Sequence, residues 1–157
     1  MHGTVQKCFF FISSILMVSF ISCNQLKKER NLKLNEEAID IRANQYYWQN
    51  EYLLAKEAYD TLIFINSTKA DYYFRRAYCK TMLLNDDKSA ITDYYQAINY
   101  GYKNIKAAYV NIGTIYRSHH MYDSALFYYD KALDLDTNYD KAKIEKNEVL
   151  NLLKNIQ

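Results

Sequence analysis

The feature that most constrains this chain is an alanine that recurs at a strict 35-residue spacing, at Ala55, Ala90 and Ala125. A tyrosine follows each of these alanines by four residues, at Tyr59, Tyr94 and Tyr129. A fixed period of this length indicates stacked supersecondary units, each of which buries its apolar face against its neighbours. The sequence therefore predicts a short array of repeats rather than a fold with a single sheet or barrel.

Composition supports helical units and narrows the class of partner. The chain has 157 residues, room for one compact domain or a short solenoid, and it contains no proline and only three glycines. Long helices suit this profile because the strongest helix breakers are nearly absent. The net charge of +2 argues against a dedicated nucleic-acid binder, which would need a basic stripe or patch.

The N-terminus is predicted to be a targeting segment rather than part of the fold. An apolar run of 13 residues, 9–21, is shorter than the roughly 20 residues of a membrane-spanning helix. It ends in Phe20-Ile21-Ser22-Cys23. This ending resembles a bacterial lipoprotein signal, in which a cysteine follows an apolar-x-small triplet. The resemblance implies removal of residues 1–22 and lipidation of Cys23; an ordinary signal peptide, an uncleaved membrane anchor and a chance match are the alternatives.

Residues 23–34 are expected to tether this anchor to the folded part. They are polar, with Lys27, Lys28, Glu29 and Arg30 in succession. The lipoprotein resemblance implies a lipid-anchored protein of the bacterial cell envelope. Some lipoproteins of the outer cell surface carry an acidic run directly after the cysteine. Because no such run follows Cys23, we expect the protein to face the periplasm, on the inner or the outer membrane.

The repeat pattern is clearest over residues 105–138. Aromatic and small residues alternate there at helical spacings, at Tyr109, Gly113, Tyr116, Ala125, Tyr129 and Ala132. This order resembles the tetratricopeptide repeat, a helix-turn-helix unit of about 34 residues. The resemblance implies an all-α, right-handed α-solenoid of three such units, at about 35–69, 70–104 and 105–138. A capping helix over 139–157 would cover the end of the stack.

The second unit fits this pattern less well than the others. Tyr78 occupies a position at which the family has a small residue. Either Ala77 takes that role with a shift of one residue, or this helix pair is spread wider.

The chain shows no motif that predicts catalysis, a metal or a cofactor. His119 and His120 are adjacent, lie where a turn between two helices is expected, and lack an evident third ligand. No glycine-rich phosphate loop is present, and no base is placed to activate a serine or cysteine nucleophile. Cys79 lies in an apolar helical stretch and is expected to be a core residue. We therefore expect a non-enzymatic protein without cofactors.

In tetratricopeptide proteins the first helix of each unit lines a concave groove that receives extended peptides or partner helices. Transferred to this sequence, the resemblance implies that the groove is lined by Asn44, Tyr47, Arg75, Arg76, Asn111, Thr114 and Arg117. The three arginines would suit an acidic partner or a terminal carboxylate, while arginines on a solvated face are the alternative interpretation. The leading hypothesis is an adaptor that binds a protein or peptide.

A second hypothesis is a lipid-anchored, glycan-binding accessory protein. Tyr47, Trp48, Tyr72 and Tyr73 fall off the repeat's core positions or beside them. Flat rings with hydroxyl groups suit carbohydrate, so these four side chains are candidates for a ligand surface.

Overall fold

The structure, a computed structural model, describes the backbone of residues 3–83 and 86–156 and the side chains of residues 25–83 and 86–155. The described backbone is helical and contains no strand. Its seven helices are α1 (Gly3–Trp48), α2 (Tyr52–Ile65), α3 (Ala70–Leu83), α4 (Asp87–Asn99), α5 (Ile105–Ser118), α6 (Tyr122–Leu135) and α7 (Asp140–Ile156). The predicted all-α class is confirmed.

The chain divides into two compact units, Met1–Ile39 and Asp40–Gln157. The first unit is helical from Gly3 within α1 and includes the residues predicted to be signal peptide and tether. The side chain of Cys23 lies outside the described side chains, so its lipidation stays a prediction, as do the predicted domain boundaries. Among the described residues, no helix combines the length and the apolarity needed to cross a bilayer.

The helices of the second unit start at the repeat spacing. Two sets of helices each begin 35 residues apart, α2, α4 and α6 in one set and α3, α5 and α7 in the other. Polar side chains cap two of them: Asp86 accepts from the Ser89 amide at 3.1 Å, and Asn104 accepts from the Ala107 amide at 3.3 Å. Such caps satisfy amides at a helix start that have no partner within the helix. The turns therefore form without proline.

The anchor residues of the repeat form the core. Full burial is common to the repeated alanines and tyrosines, Ala55, Ala90, Ala125, Tyr59, Tyr94 and Tyr129. Each tyrosine hydroxyl reaches a polar side chain on a different helix. Tyr59 donates to Asn44 at 3.0 Å, Tyr94 accepts from Asn111 at 3.1 Å, and Tyr129 donates to Glu145 at 3.4 Å. Burial of the rings therefore leaves no hydroxyl unsatisfied, as a stable core requires.

Helices α5 and α6 approach each other closely at Gly113. A Cβ atom at Gly113 would lie 2.5 Å from Cε1 of Tyr129 and 3.2 Å from the carbonyl oxygen of Ala125. Only a residue without a side chain leaves room for the Tyr129 ring between α5 and α6. The glycine is thus required by the packing of the third unit.

In the second unit, Ala77 and not Tyr78 is the small residue in the core. This residue is fully buried and packs in one core cluster with Ala90 and Tyr94. Tyr78 is only half-buried, and its ring packs at 5.4 Å from Tyr47 and 6.0 Å from Tyr52. Ala77 therefore takes the role of the small residue with a shift of one position.

Cys79 is a core residue, as predicted. Its side chain is fully buried, and burial raises the pKa of the thiol to about 12. A thiol in this state holds little thiolate, which is the nucleophilic form of cysteine. Cys79 is thus a packing residue and not a reactive group.

Candidate partner-binding surface

The predicted groove residues lie on α1, α3 and α5, the helices that begin each helix pair. We call this set, Asn44, Tyr47, Arg75, Arg76, Asn111, Thr114 and Arg117, the groove set. All of these residues belong to the second compact unit. Their side chains lie in several separate environments, and among the described residues only that of Arg75 contains a charge without an ionic partner.

The uncompensated charge is that of Arg75. Its guanidinium carbon lies 5.1 Å from the ring centre of Tyr47 and 5.8 Å from that of Trp48. These two rings meet edge to face at 5.2 Å, and Trp48 is 72% exposed. Arg75 makes no ion pair with any residue that the structure describes. Aromatic faces attract a cation without neutralising it, so its charge stays available to an anion.

The charge of Arg75 also acts on hydroxyl and thiol groups around it. Burial raises the pKa of Tyr47, Tyr59 and Cys79, and the positive charge of Arg75 opposes that rise in each case. Burial, Asp71 and Tyr139 raise the pKa of Tyr102, and the positive charge of Arg75 opposes that rise as well. The charge of Arg75 thus acts on residues of α1, α2, α3 and the turn before α5. Arg75 lies on the surface that the resemblance assigns to partners.

Arg76, although next in sequence, contacts a different set of groups. It donates to both carboxylate oxygens of Asp93, at 2.6 and 2.8 Å, and to Asp60 at 2.8 Å. Lys80 also donates to Asp93, at 2.7 Å. The Arg76 side chain is only 16% exposed. Its charge is balanced inside the fold, where it links α2, α3 and α4, and contributes no free cation to the groove set.

Arg117 is likewise neutralised, by carboxylates of α7. Its guanidinium contacts Glu145 at 3.1 Å and also Glu148. Asn111 accepts from Lys141 at 3.4 Å. Lys141, Glu145 and Glu148 have the spacing of one helix face, a signal that could have been used to place them opposite α5. The helix predicted only as a cap therefore supplies charged groups to this surface.

The two remaining members of the groove set, Asn44 and Thr114, are held in fixed positions. Asn44 donates to Asp40 at 3.0 Å and accepts from the Tyr59 hydroxyl. Thr114 donates to the carbonyl oxygen of Val110 within its own helix, at 3.0 Å. Tyr47 and Arg75 contact each other, whereas Arg76 and Arg117 form their ion pairs with other residues.

The assignment of four tyrosine and tryptophan rings to one ligand surface is wrong for two of them. Tyr72 is 1% exposed and Tyr73 is 8% exposed. Tyr72 packs at 6.2 Å from Tyr59, and Tyr73 packs at 5.3 Å from Tyr100. Both rings fill space between helices, so they present no face on which a sugar could stack. Tyr47 and Trp48 are the members that remain near the surface.

The histidine pair lies in the turn between α5 and α6, as predicted. His119 is exposed and pairs with Asp87 at 2.7 Å, and His120 adopts a left-handed backbone with φ 58°. Within the described part of the chain, no group of three or more His, Cys, Asp or Glu side chains is arranged to hold a metal ion.

Known proteins share this arrangement of helices. Residues 107–142 match the family model of the tetratricopeptide repeat. A tetratricopeptide domain of Arabidopsis OM64 is 25% identical, covers 74% of this chain and 94% of its own, and superposes with a TM-score of 0.67. The chain carries a tetratricopeptide repeat and adopts the tetratricopeptide-repeat fold.

Other tetratricopeptide domains superpose equally well at lower identity. The first such domain of Spaghetti (RPAP3), bound to an HSP90 peptide, is 19% identical with a TM-score of 0.67, covering 76% of this chain and 93% of its own. The domain of yeast Sti1 described as TPR2B, in a complex with pHsp70, is 22% identical with a TM-score of 0.65, covering 74% and 97%. No curated protein sequence matches the chain. The predicted helical-repeat fold is confirmed, and the predicted repeat family is confirmed over residues 107–142.

Proposed function

We propose that this protein is a non-enzymatic interaction scaffold that binds an acidic segment of a partner protein across the groove set. The observation that carries this proposal is the uncompensated guanidinium of Arg75, held over Tyr47 and Trp48. A carboxylate can take two parallel hydrogen bonds from such a group, while the exposed indole offers an apolar contact beside it. Two domains of the same fold support a peptide or protein as the ligand class: the RPAP3 domain bound to an HSP90 peptide and the Sti1 domain in a complex with pHsp70.

We further propose that lipid at Cys23 holds the scaffold at a membrane of the bacterial envelope, facing the periplasm. This rests on the apolar run that ends at Cys23 and on the polar residues that follow it. Each buried methylene contributes about 0.8 kcal/mol, so several acyl chains would make the attachment stable where one chain would not. Tethering would then raise the effective concentration of the groove set for partners at the same membrane face.

The function is tested by crosslinking in the native host, followed by affinity capture of the tagged chain and mass spectrometry. A strain that carries Cys23→Ser is compared with the unaltered strain. We expect a discrete set of envelope proteins from the unaltered strain and loss of that set from the variant. Capture of no protein from either strain would refute the scaffold, and the same set from both would refute the role of the lipid.

Arg75→Glu is expected to abolish capture of the partner while leaving the fold intact. The variant reverses the one charge of the groove set that lacks an ionic partner among the described residues. Because no ion pair is lost, the free energy of unfolding should change by less than about 1 kcal/mol. Capture yield and denaturant unfolding are the two measurements.

The matched control for this prediction is Arg42→Glu. Arg42 is an exposed residue of α1, and its replacement makes the same change in net charge. Capture should survive in the control. Equal loss of capture in both variants would mean that overall charge, and not the Arg75 site, governs binding.

A further inference from the structure

A cavity of about 430 Å³ opens between α4 and α5, beside the turn that leads into α6. Its apolar lining consists of Ile91, Tyr95, Ile115, Tyr116 and Met121. Four polar residues complete it, Asp87, Lys88, Thr92 and His119. The volume and the mostly apolar lining are those of pockets that bind small molecules. No residue of the groove set contributes to the cavity, so this is a separate surface.

The cavity differs in chemistry from the corresponding place in the first unit, which carries a charged cluster. In the first repeat unit, 35 residues earlier, Lys56 corresponds to Ile91 and Asp60 corresponds to Tyr95. Lys56 and Asp60 pair at 2.9 Å, and Arg76 joins Asp60 at 2.8 Å. Those side chains link α2 to α3 by salt bridges. Between α4 and α5, Ile91 and Tyr95 form an apolar and an aromatic wall at the positions of Lys56 and Asp60.

The third unit resembles the first in this respect. Moving forward by 35 residues places Asp130 at the position of Tyr95, and Asp130 pairs with Lys146 of α7 at 2.5 Å. Lys146 in turn corresponds to Asn111 of α5. The middle junction is therefore the one among the three in which the aspartate and the basic residue have both been replaced.

The aromatic walls of the cavity are held in place from behind by Tyr128. The Tyr116 ring stacks on the Tyr128 ring at 5.3 Å with an angle of 3° between them. The hydroxyl groups of Tyr95 and Tyr128 are hydrogen-bonded to each other. Rings fixed in this way keep the cavity open before a ligand arrives, which lowers the entropy lost on binding.

The charges around the cavity define the head group that it would accept. The carboxylate of Asp87 is engaged by His119 at 2.7 Å. Lys88 is exposed and has no ionic partner within the described residues. Lys88 is thus the basic side chain of the lining that lacks a partner among the described residues, and its ammonium group pairs with an anion.

We propose that this cavity binds a compact apolar group that carries one carboxylate, with the apolar part against Ile91 and Ile115 and the carboxylate paired with Lys88. Two sources present this chemistry, a free aromatic or aliphatic acid and the C-terminal residue of a peptide. Binding here is independent of the proposed groove function, because the two sites share no residue.

The test is a titration of the isotope-labelled full chain, followed by the NMR shifts of the cavity residues. One probe is phenylpropionate, and the other is acetyl-glycyl-phenylalanine with a free carboxylate. We expect saturable shifts at Ile91 and Ile115 with one or both probes, and the tighter probe identifies the source. Phenylpropionamide, which lacks the charge, should bind roughly tenfold more weakly.

Three variants make the proposal falsifiable. Ile91→Lys, which installs the residue of the first unit, should remove saturable binding, and Lys88→Gln should weaken it roughly tenfold. Lys103→Gln removes an exposed lysine outside the cavity and should change nothing. No saturable shift with either acid, equal binding of acid and amide, or equal effects of the Lys88 and Lys103 variants would overturn the proposal. Since Lys88 is exposed, its variant tests the site even if Ile91→Lys disturbs the fold.

Discussion

Replacing Asp93 with alanine is expected to lower the free energy of unfolding by about 3–5 kcal/mol. Asp93 is 4% exposed and is the buried charged residue of the described core. It accepts two hydrogen bonds from Arg76 and one from Lys80, whose side chain is 11% exposed. Removing the carboxylate leaves Lys80 without its anion, and it leaves Arg76 with only the partly exposed Asp60. The loss of stability comes mainly from burying positive charge that the carboxylate no longer balances, and less from the lost hydrogen bonds themselves.

Denaturant unfolding followed by circular dichroism measures this effect. Asp134→Ala is the matched control, because Asp134 is an exposed aspartate of α6 and its replacement makes the same change in charge. The control should stay within about 0.5 kcal/mol of the unaltered protein. Equal stability of the two variants would show that Asp93 does not balance Arg76 and Lys80 in solution. Asp93→Asn keeps the shape and should fall between them.

Gly113→Val is expected to cost up to about 3 kcal/mol of stability through overpacking. The added Cβ would lie 2.5 and 2.8 Å from two ring atoms of Tyr129, which is fully buried. That ring cannot move aside without opening the contact between α5 and α6. The better helix propensity of a residue other than glycine, at most about 1 kcal/mol, is too small to offset such a clash.

A second glycine provides the control for this prediction. A Cβ atom added at Gly101 would have no neighbour within 4 Å, but the φ of this residue, 81°, is left-handed. Gly101→Ala should therefore cost about 1–2 kcal/mol through backbone strain alone. Thermal unfolding of the two variants separates the effects. A Gly113→Val variant no less stable than Gly101→Ala would mean that α5 and α6 are less tightly packed than the structure shows.

The repeat and its anchors were predictable because they depend on local spacing. Ala90, Tyr94 and Gly113 occupy fixed positions in a period, and burial follows from which helix face they share. The choice between Ala77 and Tyr78 required the structure, since adjacent positions differ by about 100° around a helix. Such a choice depends on packing against other helices.

The candidate site was less predictable because its charges are balanced by residues far away in sequence. Arg75 and Arg76 are adjacent, yet only Arg76 meets Asp60 and Asp93, each more than 15 residues distant. Arg117 is neutralised from α7, about 30 residues later. A long arginine side chain can reach several neighbouring helices. Sequence spacing thus predicted which helices carry the groove set, but not which of its charges lack an ionic partner.

Helix α7 begins in the same register as α3 and α5, so a further repeat unit can be inserted before it without shifting that register. A duplicated copy of residues 105–139 inserted before Asp140 would place a second Asn111 opposite Tyr129. This reproduces the hydrogen bond that Asn111 already makes with Tyr94. The final junction, between Tyr129 and Glu145, would pass unchanged to the new copy. Because stability in such arrays is nearly a sum over neighbouring units, gene duplication could lengthen the protein stepwise without redesigning its ends.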